Sequence, residues 1–139
     1  MDQFACSTRR GNILLVEDRD DVRLGLAQLL ELHGYLVADV PNGEQALDRL
    51  VGDPSGFALI VLDLLLPGAI SGADLREHQL ADAALRSIPT IVITATEPRP
   101  HERQQIQPDA WLEKPFRFDD LLALVRHYVA PERPTVAAH

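Results

Sequence analysis

The sequence of 139 residues has a single cysteine, Cys6, so no disulfide can form within the chain. It contains no apolar run near the roughly 20 residues needed to span a membrane. Its first residues, 1–4, lack the basic and apolar regions of a secretion signal. Because such sparing use of cysteine fits a reducing compartment, we expect a cytoplasmic protein.

Basic residues are also scarce: 13 Lys and Arg stand against 21 Asp and Glu, which gives a net charge of −8. This balance argues against the basic face that binds nucleic acid and against attraction to an anionic membrane. Lysine is rarest of all, since Lys114 is the only one beside 12 arginines. Two interpretations stay open: a codon bias toward arginine, or a site at position 114 that requires a primary amine.

Short apolar runs alternate with amphipathic stretches along the chain, which favours a parallel sheet with helices on both faces. We predict strands at 12–16, 35–40, 57–62, 89–94 and 110–113. We predict helices over 20–33, from 41–43 to about Leu50, over 71–80, over 101–107 and over 117–129. The polar ends, 1–10 and 131–139, are interpreted as tails on one domain at 11–130.

Local signals refine these elements. The first predicted helix is stopped by Gly34 and capped by Asp20 or Asp21. Its apolar positions at helical spacing are Val22, Leu26, Leu29 and Leu30. The last helix has a candidate buried face made of Leu121, Leu122, Leu124, Val125 and Tyr128. The histidines show no metal-ligand spacing, and we expect all five on the surface or in the tails: His33, His78, His101, His127 and His139.

Polar side chains follow four of the five predicted strands. Glu17 and Asp18 end the first, Asp63 the third, Thr94 the fourth and Lys114 the fifth. Carboxyl ends of parallel strands share one edge of the sheet. Carboxylates that meet there must hold a proton or a cation, and an all-oxygen ligand set suits Mg²⁺. A carboxylate, an ammonium and a hydroxyl beside Mg²⁺ suit phosphoryl transfer.

Taken singly, these residues have ordinary interpretations. An acidic pair is favourable at the start of a helix, which would explain Glu17 and Asp18. Asp63 could be a turn residue and Thr94 a β-branched strand residue. Their combination at one sheet edge favours a site.

Four segments together carry a resemblance to a known family: 13–18 (ILLVED), 59–68 (LIVLDLLLPG), 91–95 (IVITA) and 111–116 (WLEKPF). In order and spacing they resemble the receiver domain of two-component response regulators, over residues 11–130. The resemblance implies a flavodoxin-like, CheY-like three-layer (βα)5 sandwich. Its α/β fold would have a five-stranded parallel sheet in strand order 2-1-3-4-5.

The resemblance also implies a role for each matching acidic position. Asp63 would accept a phosphoryl group from a sensor histidine kinase or a phosphotransfer protein. Asp18 would bind Mg²⁺ directly, Glu17 would do so through water, and Asp63 and the backbone carbonyl of Leu65 would complete the protein ligands.

The remaining matches concern the switch. Lys114 would pair with Asp63 and the phosphoryl oxygens, and a cis peptide bond would join it to Pro115. Thr94 would hydrogen-bond the attached phosphoryl group, and its movement would be coupled to the ring of Trp111. Trp111 stands where the family usually has Tyr or Phe.

The chain departs from the usual pattern in two places. Ser71 stands where the family usually has Gly, and Gly72 follows it, so the loop at 67–72 is predicted to be one residue longer. The fourth helix is predicted to be short because prolines flank it.

Three hypotheses follow. The first is a phosphorylatable receiver that catalyses only its own phosphorylation and dephosphorylation and signals to an unknown downstream protein. Whether it acts as a monomer or a homodimer stays open. Its first helix and the loop after Lys114 would face the kinase. Since no output domain follows in this sequence, we expect a stand-alone receiver or one taken from a larger protein such as a hybrid kinase. The second is a receiver-like interaction module that is not switched by phosphorylation.

The third hypothesis is an enzyme with an aspartyl nucleophile. Haloacid dehalogenase-type enzymes carry an Asp two residues after the nucleophile, where this chain has Leu65, so their general acid is missing. A flavin-binding flavodoxin is disfavoured because no phosphate-binding loop rich in Ser, Thr and Gly follows the first strand.

Overall fold

The computed structural model describes residues 11–97 and 99–132, so the first predicted tail and 133–139 of the second lie outside the described residues, as do Cys6 and His139. Within this part of the chain, five strands alternate with five helices. Their bounds are β1 (Asn12–Val16), α1 (Asp20–Leu32), β2 (Val37–Val40), α2 (Gly43–Gly52), β3 (Phe57–Asp63), α3 (Gly72–Ala81), β4 (Thr90–Thr94), α4 (Pro100–Ile106), β5 (Ala110–Glu113) and α5 (Phe118–Tyr128).

The strands form one parallel sheet in the order β2-β1-β3-β4-β5. This confirms the predicted fold class and strand order. The order reverses direction at β1 and β3, whose carboxyl ends therefore border a crevice at the switch point. Every residue of β3 is buried, as expected for a central strand covered on both faces.

The sheet has a hydrophobic core on each of its two faces. On one face, Ile13, Leu59 and Ile91 pack with residues of α1 and α5, including Leu30 and Val125. The other face has its own core, formed by the strand residues Leu14, Ile60 and Leu62 with Ala46 and Leu50 of α2 and Leu75 of α3. Because period 2 sends successive residues to opposite faces, the central strands β1 and β3 contribute to both cores.

Helix ends follow local chemistry. Gly34 takes a φ of 94° directly after α1, a conformation that favours glycine. The side chain of Asn42 caps α2 by accepting from the backbone N–H of Gln45, and Ser71 caps α3 in a capping box with Asp74.

The predicted cap of α1 by Asp20 or Asp21 is wrong. Arg19 is the N-cap and makes no side-chain capping bond, and both aspartates lie in the first turn. The backbone N–H of Arg19 donates to Oε2 of Glu17 at 3.0 Å, just before the helix begins at Asp20. Asp20 instead pairs with Arg23 at 2.7 Å.

Three smaller expectations also need correction. The second strand begins at Val37 rather than 35, and the preceding Tyr35 is buried in the core. Leu29 is 39% exposed because the buried face of α1 centres on Ala27 and Leu30. His33, expected on the surface, is half-buried beside Phe118.

One predicted departure, the short fourth helix, is present in the structure. The fourth helix has only seven residues and starts at Pro100. Gly72 lies directly against the end of β3: a Cβ there would come within 2.6 Å of the carbonyl oxygen of Leu64 and 2.8 Å of that of Asp63. This close approach explains why glycine follows Ser71. Among the described residues, no helix is both long and apolar enough to cross a membrane.

Candidate functional site

Three carboxylates meet where β1 and β3 end. One oxygen each from Glu17, Asp18 and Asp63 lies within 4.8 Å of the others. Glu17 and Asp63 are buried, at 2% and 5% exposure, whereas Asp18 is exposed. The cluster therefore has a buried floor and an open side, with hard oxygen donors only.

Lys114 brings a positive charge to this cluster from the end of β5. Its Nζ donates to Oδ2 of Asp63 at 2.9 Å and lies 3.6 Å from Oε1 of Glu17. Burial alone would lower the pKa of Lys114, but the hydrogen bond and charge of Asp63, together with Glu17, outweigh burial and raise it. The backbone of Lys114 is also fixed, since its N–H donates to the carbonyl of Thr94 at 2.8 Å. The peptide bond to Pro115 is cis, as predicted.

Crowding of the carboxylates changes the acidity of Glu17. Burial, with further contributions from Asp63 and Asp18, raises the pKa of Glu17 from 4.5 to about 7, although the N–H of Arg19 acts in the opposite direction. One carboxylate of the cluster thus still holds a proton at mildly acidic pH when no cation is bound.

This shift predicts a pH dependence of stability for the metal-free protein. Glu17 binds its proton more tightly in the folded than in the unfolded chain, so its contribution is full below pH 4.5 and is lost as pH rises to about 7. Urea denaturation in the presence of a chelator should therefore show a free energy of unfolding that falls across this window.

The matched control is Glu17→Gln, which cannot titrate and should lose this part of the pH dependence. A wild-type profile that parallels that of Glu17→Gln would contradict the assignment.

The donor set fits a hard divalent cation. Carboxylate oxygens are the ligands that Mg²⁺ prefers, and the exposed side of the cluster leaves room for the waters that Mg²⁺ retains. Leu65 adjoins the same cluster, since its backbone N–H donates to Oδ1 of Asp63 at 3.0 Å. The four predicted ligand positions are therefore close together in the fold.

Thr94 ends β4, the strand next to β3, and Trp111 lies in β5 on the far side of β4. Both line a cavity of about 300 Å³ with Glu97, Arg103 and Glu113. The buried Thr94 hydroxyl donates to the carbonyl of Thr96 and accepts from its N–H at 3.2 Å. Trp111 is half-buried, and the guanidinium of Arg103 lies 5.2 Å from its ring centre.

Sequence reasoning missed two supporting side chains. Arg23 donates to the backbone carbonyl of Glu17 at 3.0 Å and to Asp39 at 3.0 Å, which ties the acidic turn to β2. The spacing of Asp20 and Arg23 was the available signal, since residues three apart on a helix are neighbours. Glu44 accepts from Ala69 in the β3–α3 loop at 3.3 Å, a contact that sequence spacing does not reveal.

Comparison with known proteins gives a family match and a set of relatives. The response regulator receiver domain family matches residues 13–126. YkoG of Bacillus subtilis, an uncharacterized transcriptional regulatory protein, is 34% identical over 120 residues, which are 84% of this chain and 50% of that protein. Response regulator RppA of Synechocystis is 35% identical over 116 residues, 82% of this chain and 48% of that protein. The chain spans about half the length of these relatives.

Solved structures agree on the fold. The receiver domain of a signal transduction histidine kinase from Syntrophus aciditrophicus has a TM-score of 0.73 and 29% identity, covering 84% of this chain and 87% of that one. The chemotaxis protein CheY4 of Vibrio cholerae has a TM-score of 0.75 and 22% identity, covering 87% and 100%. At that identity, the second likeness concerns the fold alone.

Proposed function

The chain belongs to the response regulator receiver domain family of two-component signalling, and from this we propose that it accepts a phosphoryl group on Asp63 with the help of Mg²⁺. The observation that carries the proposal is the position of Asp63, which accepts a hydrogen bond from Lys114 at 2.9 Å within the three-carboxylate cluster. A nucleophilic carboxylate, a cation site and a fixed ammonium are the components that phosphoryl transfer requires.

Asp63 would be the nucleophile. One of its carboxylate oxygens attacks the phosphorus of a phosphohistidine, an O–P bond forms, the N–P bond breaks, and the departing imidazole takes up a proton. Lys114 holds the Asp63 carboxylate in place beforehand, and its ammonium can then neutralise the phosphoryl oxygens. Mg²⁺, held by Asp18, Glu17, Asp63 and the carbonyl of Leu65, would supply further neutralisation of those oxygens.

The attached phosphoryl group would be read by Thr94. Its hydroxyl now bonds within its own loop, to Thr96, and would exchange that partner for a phosphoryl oxygen. Because Thr94 and Trp111 line one cavity, a shift of the threonine changes the space available to the indole. This coupling would carry the signal to the surface of α4 and β5.

The donor would be a sensor histidine kinase or a phosphotransfer protein, and the receiver domain would comprise residues 11–130. The protein would catalyse only its own phosphorylation and dephosphorylation. We also propose that the protein signals to a downstream protein, can form a homodimer and is cytoplasmic. These three points rest on the sequence and on the family.

The test is incubation with Mg²⁺ and a small-molecule phosphodonor, followed by intact mass measurement. We expect one phosphoryl adduct that requires Mg²⁺, because an acyl phosphate forms only where the negative charges are neutralised. The adduct should be absent after chelation and absent in Asp63→Asn, which keeps the side-chain shape but loses the nucleophile.

If no adduct forms, beryllofluoride, a phosphoryl mimic, distinguishes a receiver that requires its own kinase from a module that phosphorylation does not switch. A change in the fluorescence of Trp111, the only tryptophan, would indicate a receiver that requires its own kinase. No change would contradict the proposal and favour an interaction module that phosphorylation does not switch.

A further inference from the structure

A buried arginine joins α3 to the far end of α4. Arg76 is 3% exposed, and its guanidinium donates to the carbonyl of Ile106 at 2.7 Å and to that of Gln107 at 2.7 Å. These carbonyls stand at the C-terminal end of α4, where a helix leaves acceptors without intrahelical donors. The positive charge also complements the dipole of the helix.

Two further partners of Arg76 are buried, and a third, the partly exposed Asp109, lies 3.8 Å away as an ion pair. Nη1 of Arg76 donates to Oε1 of Gln79 at 2.8 Å and to the hydroxyl of Thr90 at 2.9 Å. Gln79 in turn donates to the carbonyls of Leu85 at 3.0 Å and Ile88 at 2.8 Å. The guanidinium therefore cannot follow a movement of α4 without giving up bonds inside the core.

The N-terminal end of α4 is held differently. Arg99 donates its N–H to Glu102 at 2.9 Å in an exposed contact. The ion pair of Arg103 with Glu97 spans 3.4 Å, and its side chains are 49% and 79% exposed. Exposed contacts of this kind stabilise little. The two ends of this seven-residue helix, about 10 Å apart, are thus unequally constrained.

We propose that Arg76 is a positioning residue that fixes the C-terminal end of α4, so that the response to phosphorylation is confined to the N-terminal end. That end lies beside the cavity of Thr94 and Trp111. That Arg76 fixes the end of α4 is inferred from the resting structure alone. That the response to phosphorylation is confined to the other end rests on the proposed function.

The informative variant is Arg76→Met. It removes every donor to the two carbonyls of α4 but leaves Gln79 and Thr90 satisfied, because the Thr90 hydroxyl already donates to Oε1 of Gln79 at 3.1 Å. Arg86→Met is the matched control, since Arg86 is exposed in the α3–β4 loop. Arg76→Lys keeps the charge but lacks the guanidinium fork, and it should restore the bonds only in part.

The first measurement is residue-resolved amide hydrogen exchange by NMR on the resting protein. In Arg76→Met, the amides of 104–107 should exchange about tenfold faster or more, relative to amides of β3, because the carbonyls of Ile106 and Gln107 lose their charged donor and this end of α4 opens more readily. Arg76→Lys should lie between, and Arg86→Met should match the wild type. Equal acceleration in α4 and β3, or none in α4, would overturn the fixing role.

The second measurement is the change in amide chemical shifts on adding beryllofluoride with Mg²⁺. In the wild type, changes should reach 94–97, 99–103 and Trp111 but leave 106–107 nearly unchanged; in Arg76→Met they should extend through 107. Wild-type changes at 106–107 as large as those at 99–103 would overturn the confinement. No change anywhere, including the loop after Asp63, would overturn the proposed function and the confinement with it, while the exchange data would still decide the fixing role.

Discussion

Lys114→Met is expected to slow phosphorylation of Asp63 by about a hundredfold, because removal of one preorganised positive group from the reacting oxygens typically has an effect of that size. The ammonium lies 2.9 Å from Asp63 and is the cation that the described residues bring to the carboxylate cluster at hydrogen-bond distance. Initial rates of adduct formation with a small phosphodonor, followed by intact mass, measure the effect.

The same substitution should tighten Mg²⁺ binding, which distinguishes loss of a charge from loss of the fold. Without Lys114, the carboxylates of Glu17 and Asp63 lose a neighbouring positive charge, so a divalent cation relieves more repulsion. Titration of Mg²⁺ against Trp111 fluorescence or heat of binding would show it.

Lys114→Arg is the control for charge without the compact ammonium. It should keep Mg²⁺ binding near that of the wild type and still slow phosphorylation, since a planar fork does not fit the place of an ammonium. A Lys114→Met variant that is phosphorylated at the wild-type rate would show that Lys114 takes no part in the transfer.

The site was predictable from sequence for a topological reason. In a parallel sheet, a polar residue that directly follows a buried run is placed at a known edge, so Glu17, Asp18, Asp63 and Lys114 could be brought together without any contact being known. The family resemblance then supplied their expected roles. The hydrogen bond of the Thr94 hydroxyl to Thr96 depends on loop geometry, which no strand pattern specifies.

The polar residues on the buried face of α3 were not predictable in this way. Periodicity treats polar residues as solvent-facing, yet Arg76 and Gln79 are buried at 3% and 1% exposure. Their partners lie far along the chain, since Arg76 binds the carbonyls of Ile106 and Gln107 some thirty residues away. A buried arginine is tolerated only when its donors are hydrogen-bonded. The sequence around Arg76 does not indicate that carbonyls of another helix accept these bonds.

Arg76→Ala is therefore expected to lower the free energy of unfolding by about 4 kcal/mol, since it leaves buried carbonyls without a donor and also opens a cavity. Arg76→Met fills most of that volume and should cost about half as much. The difference between the two variants isolates packing from hydrogen bonding, and urea denaturation at one pH measures both.

The same pair of variants shows whether the interactions of the buried guanidinium exceed the free-energy cost of removing its charge from water. Removing an arginine also removes the cost of burying it, so a replacement that packs well can be neutral where the hydrogen bonds only balance that cost. Wild-type stability in Arg76→Met would mean that all the hydrogen bonds of Arg76 and its ion pair with Asp109 together only balance that cost. A loss in Arg76→Met but none in exposed Arg86→Met would instead show that the buried hydrogen bonds of Arg76 stabilise the domain, including those by which α3 supplies donors that the end of α4 lacks.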